Sequence, residues 1–280
     1  MPITASEIQD VVLREDDFGH EMRVGGILKN IHVPQSAFIK ARLSRLDHGG
    51  TYTDPVTSKT RQFDYRCRIS KGIEGLHNIL LAVECKNLNP ELPLVVCGRN
   101  RNDKEAYHLV IARDENKHVS IAKVDGMSSL YEPRGFVGKS LLRLKMKDKR
   151  LCSDGDSEIY DKWSQALASS RDLAHEFANA NATAERQGYA FLMPMVIVPD
   201  NSLWTVSYND DGTIQDAPKQ VDLCDFYVDH KLSASFPFVL THIQFATLKG
   251  LSTMLTQYAD GDFYKWDKIF SIAASRFNPV

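Results

Sequence analysis

Between Arg61 and Ser70 the chain alternates strictly. Phe63, Tyr65, Cys67 and Ile69 fall on one face, and Gln62, Asp64, Arg66 and Arg68 on the other. This is the period of two of a β-strand. Asn78 to Lys86 repeats the pattern, with Ile79, Leu81, Val83 and Cys85 on one face and Leu80, Ala82, Glu84 and Lys86 on the other. Gly72 and Gly75 predict a turn centred on Glu74. Folding there sets Ser70 opposite Asn78 and Asp64 opposite Glu84, with Lys86 two residues further along the same face.

The period changes elsewhere. From Asp17, Val24, Ile27, Leu28 and Ile31 recur at helical spacing until Pro34 ends the run, with Gly25 and Gly26 inside it. Glu21 shares the inward face, as a helix-N-terminal acid favoured by the macrodipole or as a site residue. The longest helical pattern is Ser157 to Asn181, whose stripe runs Ile159, Trp163, Ala166, Leu167, Leu173, Ala174 and Phe177. Tyr189 to Val198 is almost continuously apolar apart from Pro194 and predicts a buried strand. Shorter strands are predicted at Leu94–Cys97, Tyr107–Ile111, Val119–Val124, Leu203–Tyr208, Val221–Val228 and Phe236–Ile243, and a helix at Gln244–Tyr258. Residues 1–15 read as a lead-in, and Gln35–Leu46 fits a strand or a short helix. No Pro/Ser-rich linker divides the chain, which predicts one domain over 1–280, of class α/β or α+β with a central mixed sheet flanked by helices.

Composition narrows the options. Apolar residues at 43% and charged residues at 25% suit a globular protein, and a net charge of −2 confines any nucleic-acid contact to a local patch. Five scattered cysteines without a C-x-x-C pair speak against a zinc ribbon and a disulfide framework. No secretory signal or membrane span is visible; the longest apolar run, Ala190–Pro199, is too short to cross a bilayer. A cytoplasmic protein is expected.

Two carboxylates facing each other across strands repel, at a cost of a few tenths to about 1 kcal/mol. Asp64 and Glu84 therefore call for a counter-charge. Lys86 supplies part of it, and Mg²⁺, a hard cation bound through carboxylate oxygens, supplies it better. The plainer alternative is a solvated Asp/Glu/Lys cluster. Arg99, Arg101 and the basic run Lys139 to Arg150, including Arg143 and Lys145, are either phosphate contacts or a solvated basic face.

Other chemistries fail on their motifs. RGFVGKS lacks the first P-loop glycine, since Pro133 stands there. There is no G-x-S-x-G elbow and no H-x-x-x-H pair. Cys85 falls on the apolar face of its strand, as a buried structural thiol would.

The order of these parts is a helix with Glu21, a strand with Asp64, a strand ending Glu84-Cys85-Lys86, a long helix and a buried strand. It resembles the core of the PD-(D/E)XK nuclease superfamily, the restriction-endonuclease-like fold. YTDPVTSKTRQFDYR followed by LLAVECKN carries the resemblance, over about residues 17–198; residues 199–280 would be a sheet and helix extension. Asp64 follows Phe63 where the family pattern has proline. The resemblance implies a Mg²⁺-dependent nuclease, with Mn²⁺ able to substitute, that hydrolyses phosphodiester bonds, chiefly of DNA, and leaves a 5′-phosphate. It implies Asp64, Glu84 and the backbone carbonyl of Cys85 as metal ligands, Lys86 on the attacking water, and Glu21 completing the shell. Gln62, Arg66, Arg99, Arg101, Lys139, Arg143 and Lys145 would contact nucleic acid. A homodimer, a partner subunit, and a role in restriction or defence against foreign DNA are compatible with it. The rival is a nucleic-acid-binding or scaffold protein that keeps the fold without cleavage.

Overall fold

The structure is a computed structural model that describes residues 3–15, 17–31, 42–54, 58–71, 76–88, 92–114, 118–153, 157–179, 188–232, 238–260 and 270. The turn at residues 72–75 and most of Gln35–Leu46 lie outside the described residues.

Helix α1 (Ala5–Glu15) and helix α2 (Phe18–Lys29) precede strands β1 (Arg42–His48), β2 (Thr51–Thr53), β3 (Thr60–Gln62), β4 (Tyr65–Lys71) and β5 (His77–Cys85). Then come β6 (Leu94–Asn100), β7 (Tyr107–Arg113), β8 (Val119–Asp125), β9 (Phe136–Lys147) and β10 (Arg150–Ser153). Helix α3 (Ser157–Asn179) leads to β11 (Gly188–Val198), β12 (Leu203–Ser207), β13 (Lys219–Gln220), β14 (Leu223–Lys231), β15 (Val239–Thr247) and helix α4 (Leu248–Asp260). Residues 5–15 are thus helical rather than a lead-in, and Ile8, Val11 and Val12 on α1 remain exposed.

Apart from the small β2–β3 pair, the strands form one large mixed sheet whose main path runs β1-β4-β5-β11-β15-β14-β9-β6-β12-β13. Strand β4 is antiparallel to β5, with Ser70 opposite Asn78 and Tyr65 opposite Val83, the register that the alternation predicts. Strand β5 runs parallel to β11 along its whole length. The other edge of β11 is shared: β7 pairs with Gly188–Phe191 and β15 with Met195–Val198. Pro194, which has no N–H to donate, falls in the gap between those two partners.

Both faces of the sheet centre are covered, so β5 and β11 are buried on both sides. Ile79, Leu81, Val83 and Cys85 pack with Val24 and Leu28 of α2 and Leu251, Met254 and Leu255 of α4. Leu80 and Ala82 pack with Leu167, Leu173, Ala174 and Phe177 of α3. Helix α3 is amphipathic and lays its stripe on the sheet, and burying each such side chain contributes roughly 1.5–3 kcal/mol. The same alternation carries Glu84 onto the α3 face.

Candidate functional site

The predicted strand Arg61–Ser70 is interrupted. Gln62 ends β3, which pairs with β2 through Thr51–Gln62, and the ladder to β5 starts only at Tyr65. The His48-Gly49-Gly50 turn braces the interruption. Gly49, at φ +68, donates its N–H to Asp64 O at 3.1 Å, and Phe63 N donates to Gly50 O at 2.9 Å. A Cβ on Gly50 would sit 2.5 Å from the Phe63 ring, so only glycine lets the ring close over the turn. Asp64 is left at the mouth of the hairpin with its side chain turned back to the end of β5, where Oδ2 accepts the Cys85 N–H at 2.6 Å.

Glu84, one residue earlier on β5, is fully buried. The cation that meets the two carboxylates comes from α3. Lys162 Nζ donates to Asp64 Oδ2 at 2.9 Å and reaches Glu84 Oε2 at 3.5 Å. The strand alternation predicts Lys86 in that place. Lys86 follows the last residue of β5, and its Nζ lies 3.6 Å from Asp17 Oδ2 at the start of α2. Asp17 Oδ1 also accepts the Asn87 N–H at 2.9 Å, so one carboxylate ties both residues after the strand. Along the sequence Lys162 lies three residues after Ile159 and four before Ala166, on the edge of the apolar stripe, where a lysine ordinarily carries its head to solvent.

Charge and burial reinforce one another. Burial pushes the Glu84 carboxyl well above its usual range, and the Asp64 charge pushes the same way, while Lys162 opposes both. Burial disfavours the charged form of Lys162, but Asp64 and Glu84 outweigh it and raise the ammonium pKa. Lys162 is therefore a permanent cation at neutral pH. Glu84 Oε1 is buried and has no hydrogen-bond partner among the described residues. An orphaned carboxylate oxygen costs roughly 1–3 kcal/mol, so its retention beside a second carboxylate fits a cation-binding position.

Glu21 sits at the rim. Its pKa is raised by burial and then by the charge of Asp64, and His48 Nε2 lies 3.4 Å from its Oε2. The His48 ring stacks on Tyr65 at 4.4 Å. Tyr52 closes the α3 side, its hydroxyl donating to Gln165 O at 3.3 Å. The Cys85 thiol is held protonated by burial and then by Asp64, which removes it as a nucleophile. Asp64, Glu84 and Lys162 thus converge, with Glu21 and the Cys85 main chain beside them. Among the described residues no group of three or more His, Cys, Asp or Glu side chains is arranged to hold a metal ion, so any cation here rests on two carboxylates plus main-chain or water oxygens.

The remaining sequence candidates lie elsewhere. Arg66 is buried and braces α3, donating to Ser169 Oγ at 2.9 Å and Asp172 Oδ2 at 2.6 Å, with its guanidinium over the Phe63 ring. Arg101 is buried against Asp225 at 2.7 Å and the carbonyl of Glu132. Arg99 and Lys139 share Glu105, at 2.8 and 2.6 Å. Arg143 and Lys145 lie on β9, half-buried, where Arg143 pairs with Leu94 and Lys145 with Cys152. Gln62 lies at the end of β3. The basic run is thus a strand within the sheet. No protein family, curated protein or solved structure matches this chain.

Proposed function

We propose that this chain is a metal-dependent nuclease of restriction-endonuclease-like architecture that hydrolyses phosphodiester bonds, of DNA first, with Asp64, Glu84 and Lys162 as its centre. The observation that carries the reading is the buried, unpartnered Glu84 Oε1 next to Asp64 and a permanently charged lysine. Asp64 and Glu84 would hold a Mg²⁺ or Mn²⁺ ion, with the Cys85 carbonyl beside them. A divalent cation at such a position supplies Lewis acidity and a water of lowered pKa.

The chain's own residues do the rest. Lys162 stays protonated and so acts by charge, against a phosphate oxygen, rather than as a base. The Cys85 N–H fixes Asp64 Oδ2, so the carboxylate does not reorient when a substrate arrives. Burial and the Asp64 charge favour the neutral form of Glu84, which would couple cation binding there to proton release. Glu21, raised in pKa and within reach of His48, can hold or pass a proton at its Oε2. Lys86, tied to Asp17, anchors α2 to the end of β5.

The test is cleavage of supercoiled plasmid and of single-stranded circular DNA in Mg²⁺ or Mn²⁺. We expect 5′-phosphate ends, and loss of cleavage in Asp64→Asn and Lys162→Met. A Lys162→Met protein that cuts at the wild-type rate sinks the assignment. A protein that binds DNA without cutting it under any divalent cation would be the non-catalytic rival.

A further inference from the structure

A cleft of about 370 Å³ runs between α3 and β14, lined by Arg61, Tyr160, Trp163, Arg171, Val228 and His230 among others. Lys162 lies on the same helix without lining it, and Tyr52, which feels the charges of Glu84, Asp54 and Arg61, relates the Arg61 end of the cleft to the candidate centre. At that end Arg61 Nε contacts Asp54 Oδ2 at 3.2 Å, next to Tyr52. Its size suits one base with its sugar.

The lining is chemically mixed in an informative way. The Tyr160 ring is 54% exposed yet is propped edge-on against Trp163 at 5.2 Å, and Trp163 in turn against Phe226 at 5.4 Å. The indole Nε1 of Trp163 is buried with no acceptor among the described residues. An exposed aromatic braced by Trp163, itself packed on Phe226, is a stacking surface, because part of its side-chain entropy is already lost before binding. Further along, Arg171 has no carboxylate within ion-pairing distance among the described residues. Its charge bears on His230, whose pKa burial has already lowered. Of the two carboxylates in the cleft, Asp54 is engaged by Arg61, and Asp161 is exposed. An exposed aromatic ring and a guanidinium without a carboxylate partner among the described residues, both on α3, offer a stacking surface and a phosphate contact.

We infer that this cleft holds an unpaired nucleotide, stacked on Tyr160 with a backbone phosphate on Arg171, and receives a single strand along α3, the helix that carries Lys162. The inference rests on the nuclease reading and adds a substrate form to it. A base in a duplex has no free face to offer Tyr160, so single strands, frayed ends and loops are bound first.

The experiment is fluorescence anisotropy of a labelled 12-mer in EDTA, so that nothing is cut, with oligo-dT, oligo-U and a duplex as separate arms. Single strands should bind at least tenfold more tightly than the duplex, and the two single-stranded arms identify the preferred sugar. Tyr160→Ala should weaken binding roughly tenfold, Tyr160→Phe should keep it, and Arg171→Glu should weaken it and flatten its salt dependence. Both side chains sit at or near the surface, and matching circular-dichroism melts confirm folding. Tyr160→Ala binding within twofold of wild type, or a duplex bound as tightly as single strands, overturns the inference. Cleavage is assayed separately in Mg²⁺. Tight, Tyr160-dependent binding without cutting supports the cleft and overturns hydrolysis; single-strand cutting at the wild-type rate by Tyr160→Ala supports hydrolysis and overturns the cleft.

Discussion

The ammonium of Lys162 lies 2.9 Å from Asp64 Oδ2, although 98 residues separate them. Glu84 lies on the neighbouring strand and shares the same cation. The contact fixes which lysine belongs to the carboxylates. Lys162→Met should lower the cleavage rate by about 10²–10³, the usual loss when one charge-stabilising group is removed from an active centre. Lys86→Ala, which frees Asp17 instead, should lose less than tenfold. Single-turnover rates measure both, and the reverse ranking would return the role to Lys86.

Glu84 is expected to oppose stability and serve activity. Its raised pKa means that the native state binds more protons than the unfolded chain above the ordinary carboxyl value of 4.5. Its contribution therefore falls as pH rises through that window. Glu84→Gln should abolish cleavage, raise the melting temperature at neutral pH, and flatten this decline. A lower melting temperature at pH 8 would contradict the account.

Cation binding should release protons for the same reason. Titration of Mn²⁺ by calorimetry in two buffers of different ionisation heat should show a proton leaving, with affinity rising as pH rises. Asp64→Asn should remove the signal. Binding without proton release would mean that Glu84 is already charged.

The acid side is governed by buried imidazoles. Burial lowers His108 from 6.5 to about 3, so the fold keeps it neutral where the unfolded chain takes a proton. Between those values the unfolded state binds more protons, and stability falls as pH falls. His20 and His242 are lowered as well, also by burial first. Urea midpoints from pH 7 to 4 should decline, and His108→Gln should reduce the slope whatever its effect on absolute stability.

Two adjacent glycines of α2 should behave oppositely. A Cβ on Gly25 would lie 2.3 Å from the Tyr65 hydroxyl, and that ring is pinned under His48. Gly25→Ala should cost about 1–3 kcal/mol by overpacking. Gly26 has open space, and Gly26→Ala should stabilise by about 0.5–1 kcal/mol, the usual helix-interior gain. Thermal melts of the two proteins decide it.

Alternation made the β4–β5 hairpin legible, down to Ser70 opposite Asn78, because a one-residue slip would exchange the α2 and α3 faces. It could not show the interruption at Phe63–Asp64, which depends on the Gly49-Gly50 turn closing against Phe63. It placed Lys86 by continuing a strand that ends at Cys85. Arg66 looked like a surface cation because its neighbours alternate, yet it faces α3 and is enclosed by Ser169, Asp172 and two aromatic rings. Lys162 was hidden because a single lysine beside an apolar stripe ordinarily extends its head to solvent. Only tertiary packing reveals what lies under it.

The placement of α3 and β11 late in the chain has a consequence for synthesis. The ribosome, at roughly 5–20 residues per second, delivers Asp64 and Glu84 several seconds before Lys162. Strand β11, along which all of β5 pairs, follows later still. A chain terminated before α3 has its acidic pair and no cation; one terminated before β11 lacks the strand that completes the sheet centre. If the centre acts as proposed, products truncated before residue 198 should be inert, and activity would report that translation has passed β11.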